Sequence, residues 1–322
     1  MVQLLNSRKR STSYHKEGDE EFKHQVGGHH QLHQVGRLHL AKPSGVDERD
    51  FYLHAPPALI PHLAHMCGYT EGSSETVRPS TSTMCDNCLL GGSAGQSRLT
   101  ASISRMRAGK PSASAEYVVL SDLTAGFRHP CIVDLKMGTR QHGDAAAPEK
   151  IRRQTDKCAR STSLLYGLRL CGLQYYDACT ERSTVIDKYE GRRIEVLELW
   201  KAIKGFFSYP DGRLRTALIR ALLRKIEAVE EAVQSLDGVR LFGSSLLVIY
   251  EGDETLEPLS DEEADKQLCV RIVDFANATL GGGLHSGADE GFLLGLHSLH
   301  RFIDDLAHHS DSDVDSEGSM SP

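Results

Sequence analysis

The amino-acid sequence predicts a mixed α/β (α+β) fold, arranged as one large domain or as two lobes. The chain has 322 residues, of which 39% are hydrophobic, enough to build a sizeable core. Short apolar blocks, such as 245–250 and 269–273, are typical of buried strands. Apolar residues that recur every three or four positions between Leu214 and Leu236 predict a long helix that packs against this core.

The N-terminal third contains predicted strands, a short helix and a variable segment. Residues 1–20 are polar and charged, and we expect them to be disordered. Strands are predicted at 22–26, 38–42 and 117–120. The stretch 46–63 predicts a short helix broken by Pro56 and Pro57. Residues 68–113 are rich in Ser, Thr and Gly with little periodicity, which predicts a flexible insertion.

The C-terminal part ends in a hairpin and a last helix. The two buried strands at 245–250 and 269–273 flank a polar, acidic stretch at 251–267, which predicts a hairpin loop. A final helix is predicted at 291–306. The Ser- and Asp-rich tail at 307–322 is expected to be disordered.

One short motif places an acidic and a basic side chain on the same face of a predicted strand. Pro130 opens the motif, and side chains alternate along a strand, so Asp134 and Lys136 point to one side. Gly138 and Gly143 permit the turns that follow. This spacing is also compatible with a buried strand that ends in an ordinary salt-bridged pair.

A basic helix is predicted directly after this motif, because Pro148 suits the first turn of a helix. At 100° per residue, one side carries Ile151, Thr155, Cys158, Thr162 and Leu165. The other side carries Lys150, Arg153, Gln154, Lys157 and Arg160. A solvated surface face would have the same pattern. However, eight basic residues stand against four acidic ones between Arg128 and Arg160, so we expect an anion-binding face.

The composition argues against several classes of function. A net charge of −7 disfavours a general binder of nucleic acid or of membrane surfaces. No apolar run reaches the ~20 residues that a membrane helix needs, and we expect no secretory signal. Most of the eight cysteines have apolar neighbours, as reduced thiols do. Cys85 and Cys88 have a metal-like spacing but no second pair at zinc-ribbon distance. We expect a monomer of the cytoplasm, the nucleus or both.

The run from Pro130 to Gly143 resembles the inositol polyphosphate kinases, whose defining pattern is Pro-x-x-x-Asp-x-Lys-x-Gly. Its extension, Asp-Leu-Lys-Met-Gly-Thr-Arg-Gln-His-Gly, is most similar to the inositol hexakisphosphate kinases. Further matches lie at 24–29, 42–43, 167–174, 243–252 and 272–277. The resemblance covers most of 22–66 and 117–306. It implies a two-lobed kinase-like fold with antiparallel sheets, an N-lobe at 21–122, a C-lobe at 123–306 and an ATP cleft between them.

The resemblance also implies which residues hold ATP. Lys42 would contact the ATP phosphates, and Asp134 would hold the nucleotide at the ribose. The connector at Ser121 and Leu123 would pair with adenine through its backbone, although relatives usually carry Glu where Ser121 stands. On its own, Lys42 is also compatible with an exposed lysine at a strand end.

The metal site implied by the resemblance lies at the end of a buried strand. Asp274 stands in Ile-Val-Asp-Phe-Ala-Asn, similar to the Ile-Asp-Phe-Ala-His of the family, and would be the main Mg²⁺ ligand. Ser245 would help to hold the metal, although a serine at the start of a strand is often structural. Asn277 departs from the family, which commonly has His at that position.

The acceptor side follows from the same resemblance together with the basic helix. Lys136, with Asp134, would act at the point of phosphate transfer, between the γ-phosphate and the acceptor. Acceptor-binding residues are expected at Lys136, Arg140, Lys150, Arg153, Gln154 and Lys157.

The predicted function is therefore an ATP- and Mg²⁺-dependent kinase that phosphorylates a phosphate of inositol hexakisphosphate to make a diphosphate. Two alternatives remain open. One is an inositol polyphosphate multikinase that phosphorylates free hydroxyls of tris- or tetrakisphosphates. The other is a catalytically weak protein that binds inositol polyphosphates, suggested by Ser121 and Asn277.

Overall fold

The computed structural model describes residues 22–28, 30–80, 86–108, 116–177, 180, 182–256, 258 and 260–316. Two five-stranded antiparallel sheets, each accompanied by helices, form an α+β architecture, as predicted. One sheet lies in the N-terminal third of the chain and the other in the C-terminal part. The segment 1–20, expected to be disordered, lies outside the described residues.

The N-terminal sheet has the strand order β1-β2-β5-β3-β4. Its strands are β1 (His33–Val35), β2 (His39–Pro43), β3 (Met66–Tyr69), β4 (Arg78–Pro79) and β5 (Tyr117–Ser121). Helix α1 (Val46–Leu53) follows β2, and a 3₁₀ turn at Ile60–His62 comes after the two prolines. The broken helix at 46–63 and the strands at 38–42 and 117–120 are thus confirmed.

The strand predicted at 22–26 is wrong. Residues 22–28 lie outside the sheet, and the partner of β2 on this side is β1, further along the chain. The Gln25 side chain explains the difference, because its amide donates to Gly27 O at 2.9 Å and to His30 O at 2.7 Å. Its oxygen accepts from Leu32 N at 2.9 Å. The Gln25 side chain therefore forms hydrogen bonds with backbone groups that would otherwise pair with a neighbouring strand.

The interval 68–113 also differs from the expectation of a flexible insertion. It contains the 23-residue helix α2 (Asp86–Ala108), while 81–85 and 109–115 lie outside the described residues. Leu99, Ile103 and Met106 of α2 are buried against the N-terminal sheet. Their spacing is helical, but Ser and Gly between them weaken the pattern, so packing against the sheet decides the structure.

The C-terminal sheet has the strand order β10-β9-β6-β7-β8. Its strands are β6 (Pro130–Met137), β7 (Leu168–Asp177), β8 (Arg182–Ile186), β9 (Ser245–Glu251) and β10 (Leu268–Val273). Strand β6 lies in the centre, between β7 and β9, so the Pro130 motif runs through the middle of the sheet. Every pairing in this sheet is antiparallel.

Seven helices accompany this sheet in the described part of the chain. They are α3 (Pro148–Ala159), α4 (Ser163–Tyr166), α5 (Lys188–Gly191), α6 (Val196–Phe206), α7 (Thr216–Gln234), α8 (Asp261–Gln267) and α9 (Glu290–Ser316). Helices α3 and α7 confirm the predicted basic helix and long core helix. Helix α7 packs against α9 and β10, burying Leu218, Ile226 and Val233.

Two details of the C-terminal part differ from the prediction. The polar stretch between β9 and β10 contains α8, whose Ser260 caps the helix by accepting from Glu263 N at 3.2 Å. The backbone of α9 continues to Ser316, beyond the predicted end at 306. Once a helix is nucleated by packed turns, each further residue adds a backbone hydrogen bond, so polar residues can extend it.

Aromatic packing joins the two sheets behind the cleft. Phe51 of α1 stacks on Phe275, which follows β10, with ring centroids 4.3 Å apart. An isolated bridge pairs Leu63 with Ile272. The N-terminal sheet is thereby anchored directly beside the residue that ends β10. None of the helices in the described ranges is both long and apolar enough to cross a membrane.

Candidate active site

A cavity of about 810 Å³ opens between the two sheets. The N-terminal sheet contributes Lys42 and the connector at 120–124. The C-terminal sheet contributes Asp134 and Lys136 from β6, and Asp274 from the end of β10. Residues from distant parts of the sequence therefore surround one space, and most of the predicted site residues are among them.

Asp274 connects the two sheets electrostatically. Its Oδ1 accepts from Lys42 Nζ at 2.6 Å, and its Oδ2 accepts from Lys136 Nζ at 3.2 Å. Lys136 Nζ also donates to Gly243 O at 2.7 Å. Both lysine side chains are 14% exposed and that of Asp274 is 27% exposed, so the three charges face the cavity rather than bulk solvent.

The charges of this group stabilise one another. Burial alone would raise the pKa of Asp274, but Lys42 and Lys136 outweigh it and hold that pKa well below its usual range. Burial alone would lower the pKa of both lysines, yet the neighbouring carboxylates raise each above its usual range. At neutral pH the cavity therefore presents two ammonium groups around one carboxylate.

The backbone at Asp274 is strained. Its φ is 69°, the one positive φ at a non-glycine residue in the described part of the chain. Such a conformation costs about 1–3 kcal/mol and persists where the surroundings enforce it. Here Phe275 is fully buried, and its N–H donates to Glu48 Oε1 at 3.1 Å. This contact holds the turn that directs the Asp274 carboxylate toward the lysines.

Glu48 of α1 is a site residue that sequence reasoning missed. Its Oε1 accepts from Lys42 Nζ at 2.7 Å, and its Oε2 accepts from Ser44 Oγ at 2.8 Å. A lysine on a strand held by a glutamate on the following helix is the arrangement that protein kinases use to position the phosphate-binding lysine. The detectable signal was a glutamate in the first turn of the helix that follows Lys42 and Pro43.

Asp134 lies two residues before Lys136 on the same face of β6 and is 5% exposed. Burial raises its pKa. Its Oδ1 has no hydrogen-bond partner among the described residues, so it is available to a ligand hydroxyl or cation. Gly27 lies against the carboxylate, and a Cβ at that position would overlap Asp134 Oδ2. The glycine thus allows the N-terminal segment, residues 22–28 and 30–32, to close over this wall.

Contacts with the C-terminal sheet hold the N-terminal segment in place. A Cβ at Gly172 of β7 would overlap Val26 O, so this glycine permits the close approach of the two backbones. Lys188 at the start of α5 donates to Gly28 O at 3.2 Å. The segment is therefore attached to the C-terminal lobe, although it precedes the N-terminal sheet in sequence.

The predicted adenine-binding connector lies at the rim of the cavity. Ser121 ends β5, pairs with His39 of β2, and donates its backbone N–H to His65 O at 2.8 Å. Leu123 follows it, and both residues line the cavity. The Ser121 hydroxyl also accepts from His65 N at 3.3 Å, so the backbone and the side chain of Ser121 both fix the connector.

Helix α3 carries cations that were predicted to bind the acceptor. Lys150, Arg153 and Gln154 line the cavity, as predicted. Lys150 Nζ donates to Asn277 Oδ1 at 2.8 Å, and Asn277 packs closely against Gly243. The residue that departs from the family pattern therefore orients a lysine that lines the cavity.

Two predicted acceptor-binding residues do not line this cavity. Arg140 stacks over Phe242 at 4.0 Å and donates to Asp144 Oδ1 at 2.7 Å. It lines a separate cavity of about 310 Å³. Lys157 lies two turns beyond Lys150 on α3, outside the cavity wall. The turn after β6 carries Arg140 away from the cleft, which spacing along the sequence does not predict.

The oxygen atoms around Asp274 fit Mg²⁺. No cluster of three or more His, Cys, Asp or Glu side chains forms a metal site among the described residues. Mg²⁺, however, usually takes one or two carboxylates together with substrate phosphates and water. Asp274 supplies a carboxylate, and the buried Ser245 hydroxyl, which lies beside the Asp134 carboxylate, supplies a further oxygen. Ser245 is in register with both Lys136 and Val273, so it lies next to Asp274.

The Cys85 and Cys88 pair, which has a metal-like spacing but no second pair at zinc-ribbon distance, is not tested, because Cys85 lies outside the described residues and the side chain of Cys88 is not described.

Solved structures support the fold. The inositol phosphate multikinase of Saccharomyces cerevisiae, solved with ADP and Mn²⁺, aligns with a TM-score of 0.60 and 22% identity. The alignment covers 84% of this chain and 99% of the yeast chain. This likeness confirms the predicted two-lobed kinase-like fold.

Similar sequences point in the same direction. Inositol hexakisphosphate kinase 2 of Rattus norvegicus is 36% identical over 225 residues, covering 61% of this chain and 52% of the relative. Inositol hexakisphosphate kinase 3 of Homo sapiens is 34% identical over 210 residues, covering 59% and 51%. The chain thus spans about half the length of the curated relatives it matches.

The sequence model of the family described as "Inositol polyphosphate kinase" matches residues 117–304, more than half of the chain. This range contains Asp134, Lys136, helix α3 and Asp274. The chain belongs to the inositol polyphosphate kinase family.

Proposed function

We propose that the chain is an ATP- and Mg²⁺-dependent kinase that transfers the γ-phosphate of ATP to a phosphate of inositol hexakisphosphate. The product is a diphosphoinositol polyphosphate. The observation that carries the proposal is the position of Asp274 between Lys42 and Lys136, at 2.6 and 3.2 Å, in a cleft bordered by the cations of α3. The two relatives named above are themselves hexakisphosphate kinases.

The nucleotide side is formed by the connector, by Asp134 and Lys42, and by a metal site at Asp274. The connector at Ser121 and Leu123 offers backbone groups to adenine, and the free Asp134 Oδ1 accepts from a ribose hydroxyl. Lys42, held by Glu48, places its ammonium against the nucleotide phosphates. A divalent metal at Asp274, with Ser245 beside it, would neutralise charge on the transferring phosphate.

The transfer itself requires placement and charge more than covalent participation. Hexakisphosphate has no free hydroxyl, so a phosphate oxygen of the acceptor attacks the γ-phosphorus, and the bond to the ADP oxygen breaks. Lys136 lies between the metal-binding Asp274 and the α3 side of the cavity. Its ammonium offsets the repulsion between two crowded anions and keeps them in line. Lys150 and Arg153 hold other phosphates of the acceptor.

The test is product analysis with hexakisphosphate and Mg-ATP, followed by phosphorus NMR. We expect a diphosphate signal from the wild type and its loss, or a large reduction, in Lys136→Ala. Lys201→Ala, at an exposed lysine of α6, is the matched control and should retain the product.

Two outcomes would refute the proposal. New monoester signals from tris- or tetrakisphosphates, with hexakisphosphate ignored, would identify a multikinase instead. Binding of hexakisphosphate without turnover would identify a binding protein.

A further inference from the structure

One tyrosine beside the ion pairs of the cavity has a hydroxyl without a partner. Tyr52 of α1 is fully buried, and it is among the residues that line the cavity. Its hydroxyl forms no hydrogen bond within the described part of the chain. A buried hydroxyl without a partner destabilises the fold, because it has lost its hydrogen bonds to water. Phenylalanine would fill the same space without this cost.

Packing fixes the ring of Tyr52 next to the residue that follows Asp274. The ring meets that of Phe275 edge-on, with centroids 5.1 Å apart and planes at 88°. Glu48 stands four residues before Tyr52 on α1, so one face of the helix directs both side chains toward the same region. These contacts account for the aromatic ring of Tyr52 but not for its hydroxyl.

The neighbours of this hydroxyl are the charged groups of the site. Burial raises the pKa of Tyr52, Glu48 and Asp274 raise it further, and Lys42 acts in the opposite direction. The pKa therefore lies above its usual range, so the phenol keeps its proton at neutral pH. Tyr52 is thus a hydrogen-bond donor within electrostatic reach of Asp274.

The Asp274 carboxylate has room for a further donor. Its Oδ1 accepts from Lys42 and its Oδ2 accepts from Lys136. Each carboxylate oxygen can accept two hydrogen bonds. Glu48 already accepts three hydrogen bonds within the described ranges, two of them at Oε1. Asp274 is therefore the acceptor with more unused capacity.

Lys42 is the donor that nucleotide binding would draw away from Asp274. Its ammonium lies 2.7 Å from Glu48 Oε1 and 2.6 Å from Asp274 Oδ1. Nucleotide phosphates carry several negative charges, so they attract this ammonium more strongly than one carboxylate does. A carboxylate that loses a donor can rotate away from the orientation that faces the cavity, unless another donor replaces the first.

We propose that Tyr52 is a positioning residue for Asp274: when Lys42 turns to the nucleotide phosphates, the Tyr52 hydroxyl donates to Asp274 and keeps the carboxylate directed into the cavity. The inference rests on the proposed function, because it takes Lys42 to bind these phosphates and Asp274 to hold the metal. The competing explanation is that Tyr52 only fills space against Phe275.

Tyr52→Phe removes the hydroxyl and retains the ring. The test measures the Tm of this variant without nucleotide, and its affinity for Mg-ATP and for ATP in EDTA by calorimetric titration. The Tm should equal or exceed that of the wild type, because no existing hydrogen bond is lost. The affinity for Mg-ATP should fall roughly tenfold, the effect of one lost hydrogen bond to a charged group. The affinity for ATP in EDTA should fall less, because Asp274 then holds no metal.

Tyr250→Phe is the matched control. Tyr250 of β9 is also buried, but its hydroxyl donates to Phe206 O, and it is not among the residues that line the cavity. Removing this hydroxyl should lower the Tm and leave the affinity for Mg-ATP unchanged, the opposite of the result for Tyr52→Phe. The same result for both variants would overturn the special role of the Tyr52 hydroxyl.

A double replacement tests whether Tyr52 acts through Asp274. In the Asp274→Asn background, Tyr52→Phe should cause little further loss of Mg-ATP affinity, because the effects of two residues that share one interaction do not add. A further tenfold loss would mean that Tyr52 acts independently of Asp274, which overturns the proposal.

The remaining outcomes are also decisive. Unchanged Mg-ATP affinity in Tyr52→Phe overturns the inference, and so does a lower Tm without nucleotide, since the hydroxyl would then be structural. Equal weakening with and without the metal overturns it as well. A wild type that binds no Mg-ATP overturns both proposals. A wild type that binds Mg-ATP with the help of Tyr52 but forms no diphosphate refutes the proposed function alone.

Discussion

Replacing Asp274 with Asn removes one negative charge and preserves the shape of the side chain. In the native structure the carboxylate accepts from Lys42 at 2.6 Å and from Lys136 at 3.2 Å. The amide has one oxygen and one N–H₂ group, so it can accept from one lysine while directing a donor at the other. Glu48 still pairs with Lys42, whereas Lys136 loses its ion-pair partner and keeps only Gly243 O and the more distant Asp134 carboxylate.

The expected loss of stability follows from this orphaned charge. Removing one partner of a buried ion pair costs about 3–5 kcal/mol. Glu48 still neutralises the charge of Lys42, so we expect a loss of stability at the lower end of this range, about 3 kcal/mol. For a large domain each kcal/mol lowers Tm by roughly 2 °C, which gives a decrease of about 6 °C. If Asp274 holds the metal, as proposed, its replacement should also lower turnover roughly a thousandfold or more.

The assay combines differential scanning calorimetry at several pH values with turnover of Mg-ATP and hexakisphosphate. The pKa of Asp274 is depressed in the folded protein, so its stabilising contribution is complete above the ordinary value of 3.8 and is lost as pH falls toward the folded value. The difference in Tm between wild type and Asp274→Asn should therefore be largest near neutral pH and narrow below pH 3.8.

A second replacement tests whether Lys136 is the source of the lost stability. In the Asp274→Asn background, Lys136→Met removes the orphaned cation and should recover part of the lost stability. No recovery would mean that Lys136 is not the source of the destabilisation. Near-normal turnover by a folded Asp274→Asn protein would exclude Asp274 as the metal ligand.

Two further predictions concern the two sides of the cavity. Asn277→Asp, an isosteric change, should convert the 2.8 Å hydrogen bond from Lys150 into an ion pair and raise the KM for the acceptor roughly tenfold. The KM for ATP should not change, and steady-state kinetics with an equal rise for both substrates would contradict this role. Gly27→Ala should displace the Asp134 carboxylate or the N-terminal segment, raise the KM for ATP and cost about 1–3 kcal/mol in thermal unfolding. Gly45→Ala, where a Cβ meets nothing within 4 Å, is the control, and equal effects of the two alanines would argue against a special contact at Gly27.

Local patterns were sufficient for the regular elements near the site. Alternation along β6 correctly predicted that Asp134 and Lys136 share one face, because a strand has a period of two. Helical spacing correctly placed Lys150 and Arg153 together, because α3 has 3.6 residues per turn. Spacing failed for the strand at 22–26, where the Gln25 side chain satisfies the backbone, and for α2, where packing against the sheet outweighs a weak local pattern.

The positions of charged residues in the sequence also do not predict which charged side chains enter the cleft. Arg140 is only four residues from Lys136, yet its contact with Phe242 holds it at a different cavity. Phe242 is far away in sequence, so no local period encodes this contact. For the same reason Glu48 was missed: its role depends on Lys42 and on Phe275 N–H, which belong to different lobes.

By itself, the sequence determined the elements that carry the reactive groups, since strand and helix periods depend on neighbouring residues. It also determined the family, through the motif that begins at Pro130. Only the tertiary structure decided that Lys42 and Asp274, separated by 232 positions, meet at 2.6 Å. It likewise placed Arg169 beside Lys136 through strand register. Such contacts arise from the packing of two lobes and the alignment of strands, which are properties of the whole chain.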